Sequence, residues 1–174
     1  MVRKILFTLS FLFLQSIVFA NTIEDYRNEF YQEMLLECNN KVGQEKAMCQ
    51  CQANIATNDV VNSLTAKEKD WIINNKELSD EVYRELENKI LMTATQSLSN
   101  MDNAIQCSKS IYVADCVTNG AFGCNHSKSC CECMVDAAFD SMTYKEMMET
   151  NPTPELQSKI LQVLNANHAR CVKN

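Results

Sequence analysis

A pair of cysteine doublets constrains this chain more than any other feature. Cys49-Gln50-Cys51 recurs later as Cys131-Glu132-Cys133. Two residues along an α-helix correspond to a rotation of about 200°, so the two cysteines of one doublet face opposite sides of a helix. One cysteine is then expected to bond to the preceding helix, and the other to a helix on the far side. The doublets therefore predict helices that are held by disulfides on two sides.

The composition indicates the same fold class. All ten cysteines lie after residue 20, and an even number in an oxidising compartment favours disulfides. The 174 residues include only three glycines and two prolines, too few for the many turns of an all-β domain. Apolar residues recur at steps of three and four, the helical period. The sequence predicts an all-α fold of about seven to eight helices.

Residues 1–20 have the pattern of a secretory signal peptide. The basic start, with Arg3 and Lys4, precedes an apolar stretch that runs from Ile5 to Ala20. A retained membrane anchor is the alternative, but this stretch is shorter than the about 20 residues of a span. We expect export, to the periplasm in a bacterium or otherwise to the extracellular space. No stable membrane insertion is expected after cleavage.

The elements around the doublets repeat in the same order, which predicts an internal duplication. Each doublet is followed by a Thr-x-x-Glu capping box and then by a Leu-x-x-Lys-Ile-Leu segment, at Thr65–Glu68 and Leu86–Leu91 in the first copy and at Thr143–Glu146 and Leu156–Leu161 in the second. We place a first helical unit at 21–107 and a second at 108–174, packed on the first.

The duplication predicts how the cysteines pair. In a helical hairpin, residues equidistant from the turn face each other, so one cysteine of each doublet is expected to bond to the cysteine before the turn. The other cysteine of the doublet is expected to bond to the cysteine that follows the Leu-x-x-Lys-Ile-Leu segment. The predicted pairs are Cys38–Cys49, Cys51–Cys107, Cys116–Cys131 and Cys133–Cys171, with Cys124–Cys130 closing an inserted loop. The alternatives exchange the two members of each doublet.

The connection of the second copy, Val117 to Ser129, is longer than its counterpart in the first copy. Because disulfides make a small scaffold rigid, a surface on it loses little entropy when it binds a partner. This loop is therefore the candidate binding surface, and Tyr112, Phe122 and His126 are its candidate binding residues. We expect a protein partner and a role as an inhibitor, an immunity-type protein or a structural module.

Two other functions stay open as alternatives. Cys124, His126 and Cys130 could bind Cu(I) or Zn(II). Disulfide formation would consume the thiols of the two cysteines, so no metal or other cofactor is expected. A thiol-disulfide redox protein is the second alternative, with the adjacent Cys130 and Cys131 as its candidate bridge. The doublets lack the Cys-x-x-Cys spacing that is typical of thioredoxin-like catalysis.

Enzymatic and nucleic-acid-binding functions have little support in the sequence. The only histidines are His126 and His168, and neither lies in a nucleophile motif, so no catalytic constellation is recognised. The net charge is −6, and it becomes −8 without Arg3 and Lys4. An acidic chain repels nucleic acid, so no nucleic-acid partner is expected.

Overall fold

A computed structural model describes residues 22–74, 78–149 and 151–172. Within these ranges the chain consists of α-helices, one short 3₁₀ turn and no strand, so the predicted all-α class is confirmed. The predicted signal peptide, residues 1–20, lies outside the described residues. Among the helices that are described, none is both long enough and apolar enough to cross a membrane.

The described helices number eight, within the predicted range. They are α1 (Ile23–Leu36), α2 (Gly43–Ser63), α3 (Ala66–Ile73), α4 (Asp80–Ser99), α5 (Met101–Asn119), α6 (Lys128–Ser141), α7 (Tyr144–Met147) and α8 (Pro154–Cys171), with a 3₁₀ turn at Ala121–Gly123. The chain divides into unit 1, which ends at Ala104, and unit 2, Ile105–Asn174.

Several helices begin at a residue whose side chain caps the first turn. The side chains of Thr22, Ser79 and Thr153 each accept a hydrogen bond from a backbone N–H three residues further on. A break separates α4 from α5. Asn100 has extended backbone geometry there, and its side-chain oxygen accepts the N–H of Asp102 at 2.8 Å. Local side-chain chemistry therefore sets most helix starts.

The repeated capping box has the same surroundings in both units. In unit 1, Glu68 accepts the N–H of Thr65 at 2.6 Å and pairs with Lys89 at 2.6 Å. Partial burial raises the pKa of Glu68, but hydrogen bonds from Lys89 and Thr65 outweigh it and hold this pKa below its usual value. The lysine of the first Leu-x-x-Lys-Ile-Leu segment therefore pairs with the glutamate of the first capping box.

In unit 2, Glu146 accepts the N–H of Thr143 at 2.7 Å and pairs with Lys159 at 2.8 Å. The hydrogen bond from Lys159, followed by that from the Thr143 backbone, lowers the pKa of Glu146 to about 2. In each unit the same capping box and ion pair thus join a short helix to a later, longer helix. This agrees with the predicted duplication.

The two units differ in what fills their cores. In unit 1, α2 packs against α1 and α4 around an apolar core. This core consists of Phe30, Met34, Ala53, Ala56, Val60, Leu64, Ile72, Leu86, Ile90 and Ala94. In unit 2, α6 packs against α8, and the buried cluster consists of Met134 and five cysteines, Cys116, Cys124, Cys130, Cys131 and Cys171. The buried cluster of unit 2 is therefore composed mainly of disulfide-bonded cysteines, whereas the core of unit 1 is composed of apolar side chains.

The disulfides follow the predicted pairing. Cys38–Cys49, Cys116–Cys131, Cys124–Cys130 and Cys133–Cys171 are present, with Cα–Cα distances of 5.6, 5.8, 5.4 and 5.5 Å. The fifth predicted pair is Cys51 with Cys107, and both of these residues are disulfide-bonded. No cysteine within the described ranges is free.

The predicted loop from Val117 to Ser129 is too long and needs correction. Helix α5 continues to Asn119, where the Asn119 side chain donates to Asp115 at 2.7 Å. It stops at Gly120, whose φ of +64° is the left-handed geometry that glycine adopts without strain. Helix α6 then begins at Lys128, so only about eight residues remain between the two helices, part of them in the 3₁₀ turn.

Candidate binding cleft

Helices α5 and α6 border an open cleft on the surface of unit 2. The disulfide between Cys116 and Cys131 joins these two helices near the end of α5 and the start of α6. The cleft has a volume of about 710 Å³. It is lined by Lys109, Ser110, Val113, Ala114, Val117 and Thr118 from α5 and by Lys128, Glu132 and Asp136 from α6.

The floor of the cleft is one face of α5. Its residues recur at steps of three and four, so they share a side of the helix. Val113 and Val117 are the apolar part of this face, and both also pack against the buried cysteine cluster. From Lys109 to Thr118 the helix rises by about 14 Å. The floor of the cleft therefore extends over about two and a half helical turns of α5, with Val113 and Val117, about one turn apart, as its apolar centre.

Two ion pairs border the cleft, one between α5 and α6 and one within α6. Lys109 Nζ lies 2.7 Å from an Asp136 carboxylate oxygen and 5.6 Å from the centre of the Phe139 ring, so this ammonium group is held on two sides. Lys128 Nζ and Glu132 are 3.5 Å apart, and their side chains are 76% and 51% exposed. Exposed pairs of this kind contribute about 0–1 kcal/mol, so Lys128 and Glu132 can exchange partners at little cost.

Tyr112, one of the candidate binding residues, packs inside unit 2. Its hydroxyl donates to the backbone oxygen of Met147 at 2.9 Å, and its ring meets Phe139 edge-on at 6.0 Å between centroids. Burial raises the pKa of Tyr112 above its usual value, and the charges of Tyr144 and Asp115 add to this. The side chain therefore fastens the end of α7 to α5, and it does not line the cleft.

Phe122 and His126, the other two candidates, lie in different environments. Phe122 is half-buried against the cysteine cluster and has a φ of 58°, a left-handed geometry that is unusual for a bulky residue. His126 is exposed, and its Nδ1 lies 2.7 Å from the backbone oxygen of Val117. Since a carbonyl only accepts, Nδ1 carries the proton. His126 thus sits beside the cleft, whereas Phe122 supports the core beneath it.

The segment between α5 and α6 is tightly packed at its glycines. A Cβ atom at Gly123 would lie 2.6 Å from Nε2 of His168 on α8, and one at Gly120 would lie 3.1 Å from the His126 ring. Besides Phe122, the segment contains two more left-handed residues that are not glycine. Such geometry persists only where the surroundings enforce it. The cleft edge at Val117 is therefore held in place by this segment.

The candidate metal ligands do not form an open site. Cys124 and Cys130 are bonded to each other, and the His126 ring is engaged by Val117. The adjacent Cys130 and Cys131 bond to different partners, so the candidate bridge between neighbours is not formed. The sulfurs of Cys116, Cys124 and Cys131 do lie within 4.8 Å of one another, and all three are buried.

Sequence reasoning identified only part of the cleft. Val117, Thr118 and Lys128 belong to the predicted loop, but the rest of the lining was not singled out. The available signal was the step of four between Val113 and Val117 on a helix that is otherwise polar on that side. Lys109 and Asp136 come from separate helices, so only their packing reveals that they pair.

Comparison with known proteins identifies no relative. No family model, no curated protein and no solved structure matches the chain.

Proposed function

We propose that this protein is an exported protein-binding module, and that the cleft between α5 and α6 is its docking site. The observation that carries the proposal is a cleft whose floor presents the apolar Val113 and Val117 and whose lining also contains the ion pairs Lys109–Asp136 and Lys128–Glu132. The unit that bears it contains three disulfides, which fix the helices before a partner arrives. A preformed surface loses less entropy on binding than a mobile one.

The dimensions and charges of the cleft favour one kind of partner. The α5 face of the cleft is about 14 Å long, which accommodates two to three turns of an amphipathic helix, and Val113 and Val117 can contact apolar residues that such a helix presents at steps of three and four. The loosely paired Lys128 and Glu132 can each form an ion pair with the partner, because their own pair is exposed. His126 lies at the end of this α5 face, where its exposed ring extends the surface.

Export rests on two observations. The first 20 residues have the signal-peptide pattern, and disulfides on this scale are typical of proteins from oxidising compartments. Protein recovered from the periplasm or the medium should begin at Asn21, as read by N-terminal sequencing. Recovery of the full chain in the membrane fraction would instead indicate a retained anchor.

Docking at the cleft is tested by filling it. Ala114 and Ser110 line the cleft but are exposed, so Ala114→Arg should block the cleft without disturbing the core. Ala166→Arg is the matched control, since Ala166 is an exposed alanine on α8 outside the cleft. A photo-crosslinker at position 114, used in the native envelope, should form a specific protein adduct, and the same group at position 166 should not.

The captured partner then allows an affinity measurement by titration calorimetry. Ala114→Arg should weaken binding at least tenfold, which corresponds to about 1.4 kcal/mol or more, while Ala166→Arg changes it less than twofold. Equal binding by both variants would rule out the cleft. A partner enzyme that loses activity in a one-to-one complex would make the module an inhibitor. A partner that assembles with several copies would make it structural.

A further inference from the structure

Two disulfides of unit 2 bring their sulfur atoms into one cluster. The Sγ atoms of Cys116, Cys124 and Cys131 lie within 4.8 Å of one another, and the Sγ of Cys130 is bonded to that of Cys124. All four residues are at most 4% exposed. We propose that, once both disulfides are reduced, these four cysteines form a tetrathiolate site for one soft divalent cation, with Zn²⁺ as the representative ion.

The distances suit such a site. Zn–S bonds of about 2.3 Å in a tetrahedron place the sulfurs about 3.8 Å apart. The Sγ atom of Cys124 already lies within 4.8 Å of those of Cys116 and Cys131, and the Sγ atom of Cys130 is joined to Cys124 by their disulfide. Sulfurs of the same disulfide separate when their bond is cleaved, and the Cα–Cα distances of 5.8 and 5.4 Å leave room for this by side-chain rotation. The backbone can therefore keep its position while the four sulfurs rearrange.

The surrounding backbone favours the charged form of two ligands. Cys130 and Cys131 are the third and fourth residues of α6, where the helix dipole stabilises thiolates. Cys116 comes from α5, and Cys124 follows the 3₁₀ turn. Three separate elements thus contribute ligands, as is usual for structural zinc sites.

The cysteine doublets are a poorer site. Cys131 and Cys133 are about 200° apart around α6, so they do not converge on one ion. Neither Cys133 nor its partner Cys171 belongs to the group of three sulfurs, whereas Cys130 is bonded to Cys124, a member of that group. His126 is not needed as a ligand, since Val117 engages its ring and Cys116 and Cys131 complete the set.

The chemistry balances with a dithiol as the reductant. Each disulfide takes two electrons and two protons from one dithiol, which becomes a disulfide, so two dithiols release four thiols. Binding of one Zn²⁺ then displaces up to four protons as the thiols become thiolates. Exchange with two small-molecule disulfides, each of which accepts two electrons and becomes two thiolates, converts the four protein thiolates back to two disulfides and releases the ion. The proposed site therefore exists only in the reduced chain, before its disulfides form or after they are cleaved.

The primary test is an alkylation footprint on the full chain. The protein is reduced with a phosphine without oxygen, given one equivalent of Zn²⁺, treated with a thiol alkylator and mapped by mass spectrometry. We expect protection of Cys116, Cys124, Cys130 and Cys131, with Cys38 and Cys49 labelled freely. Co²⁺ in place of Zn²⁺ should give the intense visible bands of tetrahedral thiolate coordination at one ion per chain. Protection that is spread evenly, or confined to the doublets, would overturn the proposal.

A matched pair of variants adds an affinity measurement. Cys124→Ser/Cys130→Ser removes two proposed ligands, whereas Cys38→Ser/Cys49→Ser removes the same number of cysteines from unit 1. We expect the first to weaken Zn²⁺ binding by at least about 100-fold and the second to leave it within about threefold. Equal losses would overturn the proposal. Because the footprint compares cysteines within one molecule, it decides the question even if a reduced variant unfolds.

Discussion

Removal of the disulfide with the longest loop among the three within unit 2 should destabilise the chain more than removal of the one with the shortest loop. Cys133–Cys171 spans 38 residues, whereas Cys124–Cys130 spans six. Both bridges belong to the tightly packed part of unit 2, so the comparison depends mainly on loop length. The perturbation is the paired replacement Cys133→Ala/Cys171→Ala, set against Cys124→Ala/Cys130→Ala.

The magnitude follows from the entropy that each bridge removes from the unfolded chain. The loop-closure relation gives about 3.9 kcal/mol for the long loop and about 2.2 kcal/mol for the short one at 25 °C. The free energy of unfolding should therefore differ by about 1.6 kcal/mol between the two paired variants. In a chain of 174 residues, 1 kcal/mol shifts the melting temperature by about 2–4 °C. The expected difference in melting temperature is about 3–6 °C.

Scanning calorimetry at neutral pH without reductant measures both melting temperatures. Cys38–Cys49, with a span of 11 residues and an expected about 2.8 kcal/mol, provides an intermediate point in unit 1. The single replacements Cys171→Ser and Cys124→Ser should follow the same order. If the Cys124/Cys130 variant melts at the same temperature as the Cys133/Cys171 variant, or lower, loop entropy does not govern these bridges.

Three further predictions concern packing, pH and backbone geometry. Val60→Ala should lower the free energy of unfolding in urea by about 2–3 kcal/mol, because Val60 is fully buried, while the half-buried neighbour Val61→Ala should cost less than about 1 kcal/mol. Glu146→Gln should be less stable than the native chain above about pH 4.5, and this difference should vanish as the pH falls towards 2, since the pKa of Glu146 in the folded chain is lowered to about 2. Urea titrations across this range measure the difference, and a constant difference would contradict the prediction. Gly123→Ala should lower the free energy of unfolding by about 1–2 kcal/mol because of the φ of +70°, and further because the new Cβ clashes with His168. His168→Ala should relieve this clash, so a double variant that melts no higher than Gly123→Ala would contradict the contact.

The cysteine pattern was a strong predictor because it combines two independent constraints. Helical rotation separates the members of each doublet, and the hairpin turns place Cys38 opposite Cys49 and Cys116 opposite Cys131. The capping boxes were equally predictable, because Thr143 and Glu146 interact within one helical turn. Interactions over three or four residues depend on local geometry that the sequence alone specifies.

The candidate binding residues were harder to predict. An aromatic side chain near a loop is compatible with both a binding role and a packing role, and Tyr112 packs because Met147 and Phe139 lie next to it in the folded chain. The loop was overestimated because Asn119 extends α5 through a hydrogen bond to Asp115. A polar sequence there was compatible with either a loop or a last helical turn.

The sequence by itself determined the all-α class and the capping boxes and predicted the disulfide pairs, since each depends on residue spacing along one chain. Tertiary structure alone decided that α5 and α6 border a cleft, and that Cys124 brings its sulfur close to those of Cys116 and Cys131. Spacing fixes which face of a helix a residue occupies. The distance between faces of separate helices is set by the packing of every side chain between them, which no periodicity in the sequence encodes.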